Sequence, residues 1–192
     1  MLEEEYQATH RPRDAQRNLP PLQVLFDYTI RPARIEDLPD VREIYNHYVA
    51  NSTVTFDETP MTLRALRAKF QHLTKLGMPF LVAESPSQQI LGYAYVYPWR
   101  EKAAYRFTVE NSIYLRGAAT GKGLGRTLLA ELIVAAKAAG LKEIIAVIAD
   151  RGAEASIKMH RDFGFVEIGR MGKVGFKFGR WLGTVLMQKS LK

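Results

Sequence analysis

Residues 117–126 read GAATGKGLGR, and the helix-favouring run TLLAELIVAAKAA follows at once. A helix N-terminus leaves N–H groups unpaired and carries partial positive charge, so glycine-rich backbone leading into one can wrap phosphate oxygens. The same glycines also suit a plain strand-to-helix turn, where they allow positive φ without steric cost, and spacing alone leaves both readings open. Two phosphate fingerprints are excluded. A P-loop needs four residues between its first glycine and a Gly-Lys pair followed by Ser or Thr; here only Ala118, Ala119 and Thr120 intervene, and Gly123 follows Lys122. Gly121, Gly123 and Gly125 spell G-x-G-x-G, not the dinucleotide pattern G-x-G-x-x-G. A metal centre is not expected either, because Glu43 and His47, one helical turn apart, lack a second histidine or a carboxylate pair nearby.

A loop of this kind needs a folded domain to hold it. The 192 residues fit one domain with a core large enough to fold alone. With 47% hydrophobic and 24% charged residues, the composition is that of an ordinary globular protein. The absence of cysteine excludes a disulfide scaffold and a thiolate zinc site and fits a reducing compartment. No apolar run reaches the ~18 residues of a membrane span, and the acidic start MLEEEYQ lacks a signal-peptide plan. A cytoplasmic protein with no membrane partner is expected. The net charge of +7 is uneven: residues 1–28 hold three arginines against five carboxylates, so the remainder carries +9. Such a surplus wants an anion. The basic residues are scattered and do not interleave with aromatics, which weakens the case for nucleic acid, and a small polyanionic cofactor equally explains the charge.

Residues 1–27, with Pro12, Pro20 and Pro21 and no sustained periodicity, read as an N-terminal extension, with LQVLF at 22–26 a candidate for partial order. The domain then runs over 28–192. Tyr28–Arg31 is a strand, and the next helix carries Leu38, Val41, Ile44, Tyr45 and Tyr48 on one stripe. A second helix is capped by Thr62 and stopped by Gly77. PFLVAE and ILGYAYVYPW are strands across a polar turn, and TVENSIYL is a strand before the glycine loop. After the loop helix come strand EIIAVIAD, helix AEASIKMHRDF, strand FVEIGRM, a Gly-rich link and strand GTVLMQKSL. The order β-α-α-β-β-β-α-β-α-β-β implies an α/β protein, one mixed, mostly antiparallel sheet with helices on both faces.

This order, with a Gly-rich loop between a central strand and its helix, resembles the GNAT superfamily of acyl-CoA N-acyltransferases. FDETP, YVYPWR, AYRFTVENSIYL, AVIAD, ASIKMH, FGF and VGFKFGRWLGTVLMQ narrow the likeness to the branch of phosphinothricin and methionine sulfoximine or sulfone acetyltransferases. The resemblance covers Tyr28 to Lys192. It implies acetyl-CoA as cofactor, a small amino-acid substrate and a homodimer. It implies that the amides of Gly121, Lys122, Gly123, Leu124, Gly125 and Arg126 wrap the pyrophosphate, that Ile113, Tyr114 and Leu115 pair with the pantetheine arm, and that Ser156 also contacts the cofactor. Glu110 falls at the general-base position, and alternation puts Glu110, Ser112 and Tyr114 on one face toward the substrate. His160 falls where many relatives place a tyrosine that serves the leaving thiolate, though a helix histidine is more often a packing residue. Phe56 becomes a pocket wall, and Arg100, Lys102, Tyr105 and Arg106 surround the amino acid, guanidinium being suited to its carboxylate or phosphinate. The KFGRW segment, Lys177 to Trp181, either shapes a partner subunit's pocket or anchors the last strands.

Three positions depart from that pattern. Thr120 stands for the usual Arg or Gln, Ala153 for an Asn, and Gly183 for the Asp of a WLD sequence. Two other functions stay open: acetylation of a protein N-terminus or lysine, which needs an open groove, and a non-catalytic acyl-CoA sensor, against which the retained Glu110 counts.

Overall fold

The computed structural model describes residues 26–192, so residues 1–25 of the extension lie outside the described residues. Seven strands and four helices follow in the expected order. They are β1 (Thr29–Pro32), α1 (Leu38–Asn51), α2 (Leu63–Lys75), β2 (Phe80–Glu84), β3 (Ile90–Pro98), β4 (Thr108–Leu115), α3 (Leu124–Ala138), β5 (Glu143–Ala149), α4 (Glu154–Asp162), β6 (Val166–Lys177) and β7 (Arg180–Ser190). One sheet takes the order β1-β2-β3-β4-β5-β7-β6. Only β4 and β5 are parallel neighbours; the other pairs are antiparallel.

Local sequence explains the helices. Leu38, Val41, Ile44, Tyr45 and Val49 form the buried stripe of α1. Tyr48, expected on that stripe, is only partly buried and donates its hydroxyl to Leu115 O at 2.8 Å. The Thr62 hydroxyl caps α2 by accepting from Ala65 N at 3.1 Å, and Gly77 follows the helix at φ +66°. Helices α1 and α2 cover one sheet face, over Phe80, Val82, Tyr93 and Tyr95. Helix α3, through Leu124, Leu128, Leu129 and Leu132, covers the other face together with α4. Burial on both faces is why FLVA in β2 is continuously apolar.

The last hairpin differs from the sequence reading. The stretch expected as a Gly-rich link belongs to β6, which runs unbroken from Val166 to Lys177 with irregular register at Glu167/Gly169 and Met171/Gly175. The turn is instead Phe178-Gly179, both at positive φ (50° and 72°), the two-residue geometry that suits the twist of a hairpin. Glycines inside a strand mark bulges and close approaches as well as breaks, and composition does not separate the two.

The feature that makes the site is a parting of strands. β4 pairs with β5 only at Thr108–Glu110 against Glu143–Ile145. Beyond Glu110, β4 stays with β3 as far as Leu115, while β5 stays with β7 as far as Ala149.

Candidate active site

The gap between β4 and β5 opens into a cleft of about 850 Å³, bounded by the loop before α3, by α4 and by the 54–56 segment. From Asn111 to Leu115 the β4 edge that faces this gap has no strand beside it.

The glycine loop forms one wall. Ala118 lies in a single helical turn, Gly117–Ala119, whose Gly117 carbonyl accepts from the Thr120 hydroxyl at 2.7 Å. Gly121 and Gly123 take φ values of +72° and +84°, and a Cβ at either would meet nothing within 4 Å. Backbone conformation, and not crowding, therefore requires glycine here, and the space outside the loop stays open. Among the described residues, the amides of Gly121, Lys122, Gly123, Leu124 and Gly125 find no acceptor in the protein. That of Arg126 donates to Gly123 O at 3.0 Å. Of these residues Gly121, Gly123 and Gly125 line the cleft, whereas Leu124 is fully buried. The Arg126 guanidinium bonds Asp162 at 2.7 Å, and Lys122 lies over the Phe26 ring. Free amides at the positive end of a fifteen-residue helix fit a pyrophosphate.

Strand β4 supplies the second wall. Glu110, Ser112 and Tyr114 stand opposite Tyr97, Tyr95 and Tyr93 of β3, so the three share one face, and all three line the cleft. Burial pushes the Glu110 carboxyl up from its ordinary range, while the charges of Arg100 and Lys69 pull it back. Lys69 was not singled out from the sequence. Its Nζ donates to Tyr95 Oη at 2.7 Å, lies over the rings of Tyr95 and Tyr97, and has no carboxylate partner among the described residues.

The aromatic and basic segment after β3 does not enclose the cleft of this chain. Arg100, Lys102 and Tyr105 line a separate surface depression of about 420 Å³. Arg100 stacks on Trp99, and Arg106 bonds Ala103 O at 3.2 Å from an exposed position. Of the four, Arg100 is the one whose charge acts on Glu110.

On the opposite face of β4, Asn111 meets α4. His160, only 3% exposed, holds Nδ1 at 2.8 Å from Ser156 O and Nε2 at 2.9 Å from Asn111 Nδ2, with its ring edge-on to Phe165. Burial lowers the His160 pKa and so favours the neutral ring. A carbonyl faces Nδ1, so Nδ1 carries the hydrogen, and Nε2 is a bare acceptor. His160 lines the cleft as expected, and in this tautomer its one ring hydrogen is engaged by Ser156 O. Ser156, which also lines the cleft, has its hydroxyl 3.4 Å from Nδ1.

The segment carrying Phe56 is held from β6. Lys177 is 1% exposed, and its Nζ donates at 2.8 Å to both Ser52 O and Thr55 O. Gly175 leaves the space that the Phe56 ring fills; a Cβ there would overlap the ring. Thr55 and Asp57 in turn bond the Tyr45 hydroxyl. In this chain, therefore, the start of KFGRW anchors a pocket wall.

Two departures have physical accounts. Gly183 donates its N–H to Asp150 Oδ1 at 3.1 Å, and a Cβ on it would lie 2.5 Å from both Asp150 Oδ2 and Met171 O. A carboxylate from the end of β5 occupies the room an aspartate at 183 would need. Ala153 starts α4 without a side-chain cap, and Glu154 accepts from Gly152 N at 3.1 Å beside it.

This geometry has close parallels. A methionine sulfoximine/methionine sulfone acetyltransferase of Pseudomonas aeruginosa is 44% identical over 163 residues, 85% of this chain and 94% of that one. The structure of a GNAT superfamily phosphinothricin acetyltransferase from Sinorhizobium meliloti, in complex with acetyl-CoA, superposes with a TM-score of 0.81 at 43% identity, covering 85% of this chain and 88% of that one. A ribosomal-protein-alanine N-acetyltransferase from Brucella melitensis matches with a TM-score of 0.81 at 41% identity, covering 84% and 99%. The acetyltransferase (GNAT) domain family itself matches residues 30–186, and with the parted strands and the amide cradle in place, the chain belongs to the GNAT acetyltransferase family.

Proposed function

We propose that this protein moves the acetyl group of acetyl-CoA to the amino group of a small amino-acid analogue such as phosphinothricin, methionine sulfoximine or methionine sulfone. The observation that carries the reading is the presence in one cleft of Gly121, Gly123 and Gly125, whose amides have no partner among the described residues, and a half-buried carboxylate, Glu110, on the adjoining strand. Acetyl-CoA, when bound, supplies an activated acyl carbon and a thiolate leaving group. Gly121 to Gly125 bind its pyrophosphate by backbone N–H groups, and the free edge of Ile113, Tyr114 and Leu115 aligns its arm. Glu110 accepts the proton of the incoming ammonium; burial raises its basicity, and the charges of Arg100 and Lys69 offset part of that rise. Phe56 and Ser112 bound the amino acid, and Arg100 is the cation best placed for its anionic end.

The catalytic domain is taken as residues 28–192, working in the cytoplasm, which the absence of cysteine suits. A homodimer through the edge strand β6 and its hairpin is supported by Val166, Ile168, Val174, Phe176, Phe178 and Trp181, each at least half exposed. Sedimentation at two protein concentrations tests this.

A second reading, acetylation of a protein N-terminus, gains from the 99–107 segment, which leaves the cleft of one chain uncovered. Thiol release from acetyl-CoA with methionine sulfone, methionine sulfoximine, phosphinothricin and an alanine-initiated peptide separates the two. The small analogues should be turned over faster. Preferential turnover of the peptide would establish the second reading, and no thiol release with any of them would leave a sensor.

A further inference from the structure

Among the described residues, three buried side-chain polar atoms lack a protein partner: Arg42 Nε, Asn111 Oδ1 and Thr184 Oγ1. Two of them, on Asn111 and Thr184, belong to residues lining the cleft. The Asn111 orphan follows from the histidine beside it. With the hydrogen of His160 committed from Nδ1 to Ser156 O, Nε2 can only accept, so the atom of Asn111 that faces it at 2.9 Å is the amide nitrogen. The carboxamide oxygen is thereby turned away from its only histidine contact. Asn111 is 7% exposed and stands at the first residue beyond the point where β4 and β5 part. A buried acceptor without a donor is costly, so a ligand N–H reaching this place gains what the free protein forgoes.

We propose that the Asn111 carboxamide oxygen accepts a hydrogen bond from an amide N–H in the arm of the acyl donor, and that His160 is the positioning residue that fixes which way the carboxamide points. This rests on the acetyl-CoA reading above. Asn111 lines the cleft where β4 and β5 part, four strand positions before Leu115 and the loop beyond it, so its acceptor serves the amide-bearing arm and leaves the nucleotide end to the loop amides. His160 acts through Asn111 and takes no part in proton transfer.

Calorimetric titration of the full chain with acetyl-CoA, and separately with adenosine 3′-phosphate 5′-diphosphate, which lacks the arm, tests the assignment. Asn111→Leu keeps the size of the side chain and removes the acceptor. It should weaken acetyl-CoA by about tenfold while the nucleotide half binds within twofold of wild type. His160→Phe, which removes the nitrogen that orients Asn111, should weaken acetyl-CoA in the same selective way by a smaller factor. If Asn111→Leu does not fold, Asn111→Ala is read by the same two ligands. Unchanged acetyl-CoA affinity, or equal weakening of both ligands, would overturn the proposal, the second by showing a merely structural role. A wild-type protein that binds neither ligand would overturn the acetyl-CoA reading and this proposal with it. Binding of both by wild type with equal loss in the variant would overturn this proposal alone.

Discussion

Replacing Lys177 by methionine keeps most of the length of the side chain and removes the amine that holds Ser52 O and Thr55 O at 2.8 Å each. Two carbonyls beneath a side chain 1% exposed would lose their donor. Each unsatisfied buried group costs about 1–3 kcal/mol, and relief from burying an ammonium returns part of that, leaving a net loss of about 2–4 kcal/mol. For a domain of this size the melting temperature should fall by roughly 4–16 °C, at about 2–4 °C per kcal/mol. Burial lowers the Lys177 pKa below its ordinary 10.5. Between the lowered value and 10.5 the unfolded chain holds a proton that the folded chain does not, so stability rises with pH across that window. The neutral amine still has two hydrogens for its two carbonyls, and Lys177→Met should abolish the rise. Because the clamp sets the Phe56 wall, the variant should also raise the amino-acid KM while leaving the acetyl-CoA KM unchanged. Thermal melts from pH 7 to 10.5 and steady-state kinetics read all three effects. A melting temperature within 1 °C of wild type, or an unchanged amino-acid KM in a folded variant, would refute the clamp.

Three further outcomes follow from the same geometry. Gly183→Asp, the side chain that the resemblance implies at this position, should destabilise by about 1–3 kcal/mol through overlap with Met171 O and Asp150, seen as a lower melting temperature; an equal or higher one would mean the two strands adjust freely. His160 has a folded pKa below 6.5, so the unfolded state gains a proton first as pH falls. Stability should decline below pH 6.5, and His160→Phe should flatten that decline in acid melts. Lys69→Met removes a charge that favours the Glu110 carboxylate, so the acid limb of the kcat/KM profile should move to higher pH; an unmoved limb would separate Lys69 from the site.

How much of this was legible in the sequence depends on the range of the interactions involved. Stripes in α1, the Thr62 cap and the Gly77 stop are local, and they appear where the residues indicated. The loop and the Glu110 face are also local, since a turn, a helix start and strand alternation place them. Arg100, Lys102, Tyr105 and Arg106 were grouped because the resemblance places their segment around the substrate. A short helical turn at Ala103–Tyr105 instead directs that segment along the surface. Lys69 and Lys177 act across 26 and more than 120 residues of chain, on Tyr95 and on Ser52 and Thr55. For Lys69 a signal existed: it lies three residues after Leu66 and four before Leu73, on the buried side of α2. For Lys177 the only signal was its place in the KFGRW segment, because its burial depends on a hairpin that composition had read as a link. The His160 tautomer likewise depends on a carbonyl and an amide that only the fold brings together.

The central claim is that Glu110 removes the proton from the amine within this cleft, and Glu110→Gln tests it most directly, since glutamine keeps the shape and loses the base. Thiol release from acetyl-CoA with methionine sulfone should be measured at pH 7 and 9.5, with acetyl-CoA affinity determined alongside. An α-ammonium, with an ordinary pKa of about 8, is mostly protonated at pH 7 and cannot attack a thioester. The account predicts a kcat lower by about 10²-fold or more at pH 7, a smaller deficit at pH 9.5 where solvent supplies neutral amine, and unchanged acetyl-CoA binding. Near-normal turnover at pH 7, or an equal deficit at both pH values, would contradict it.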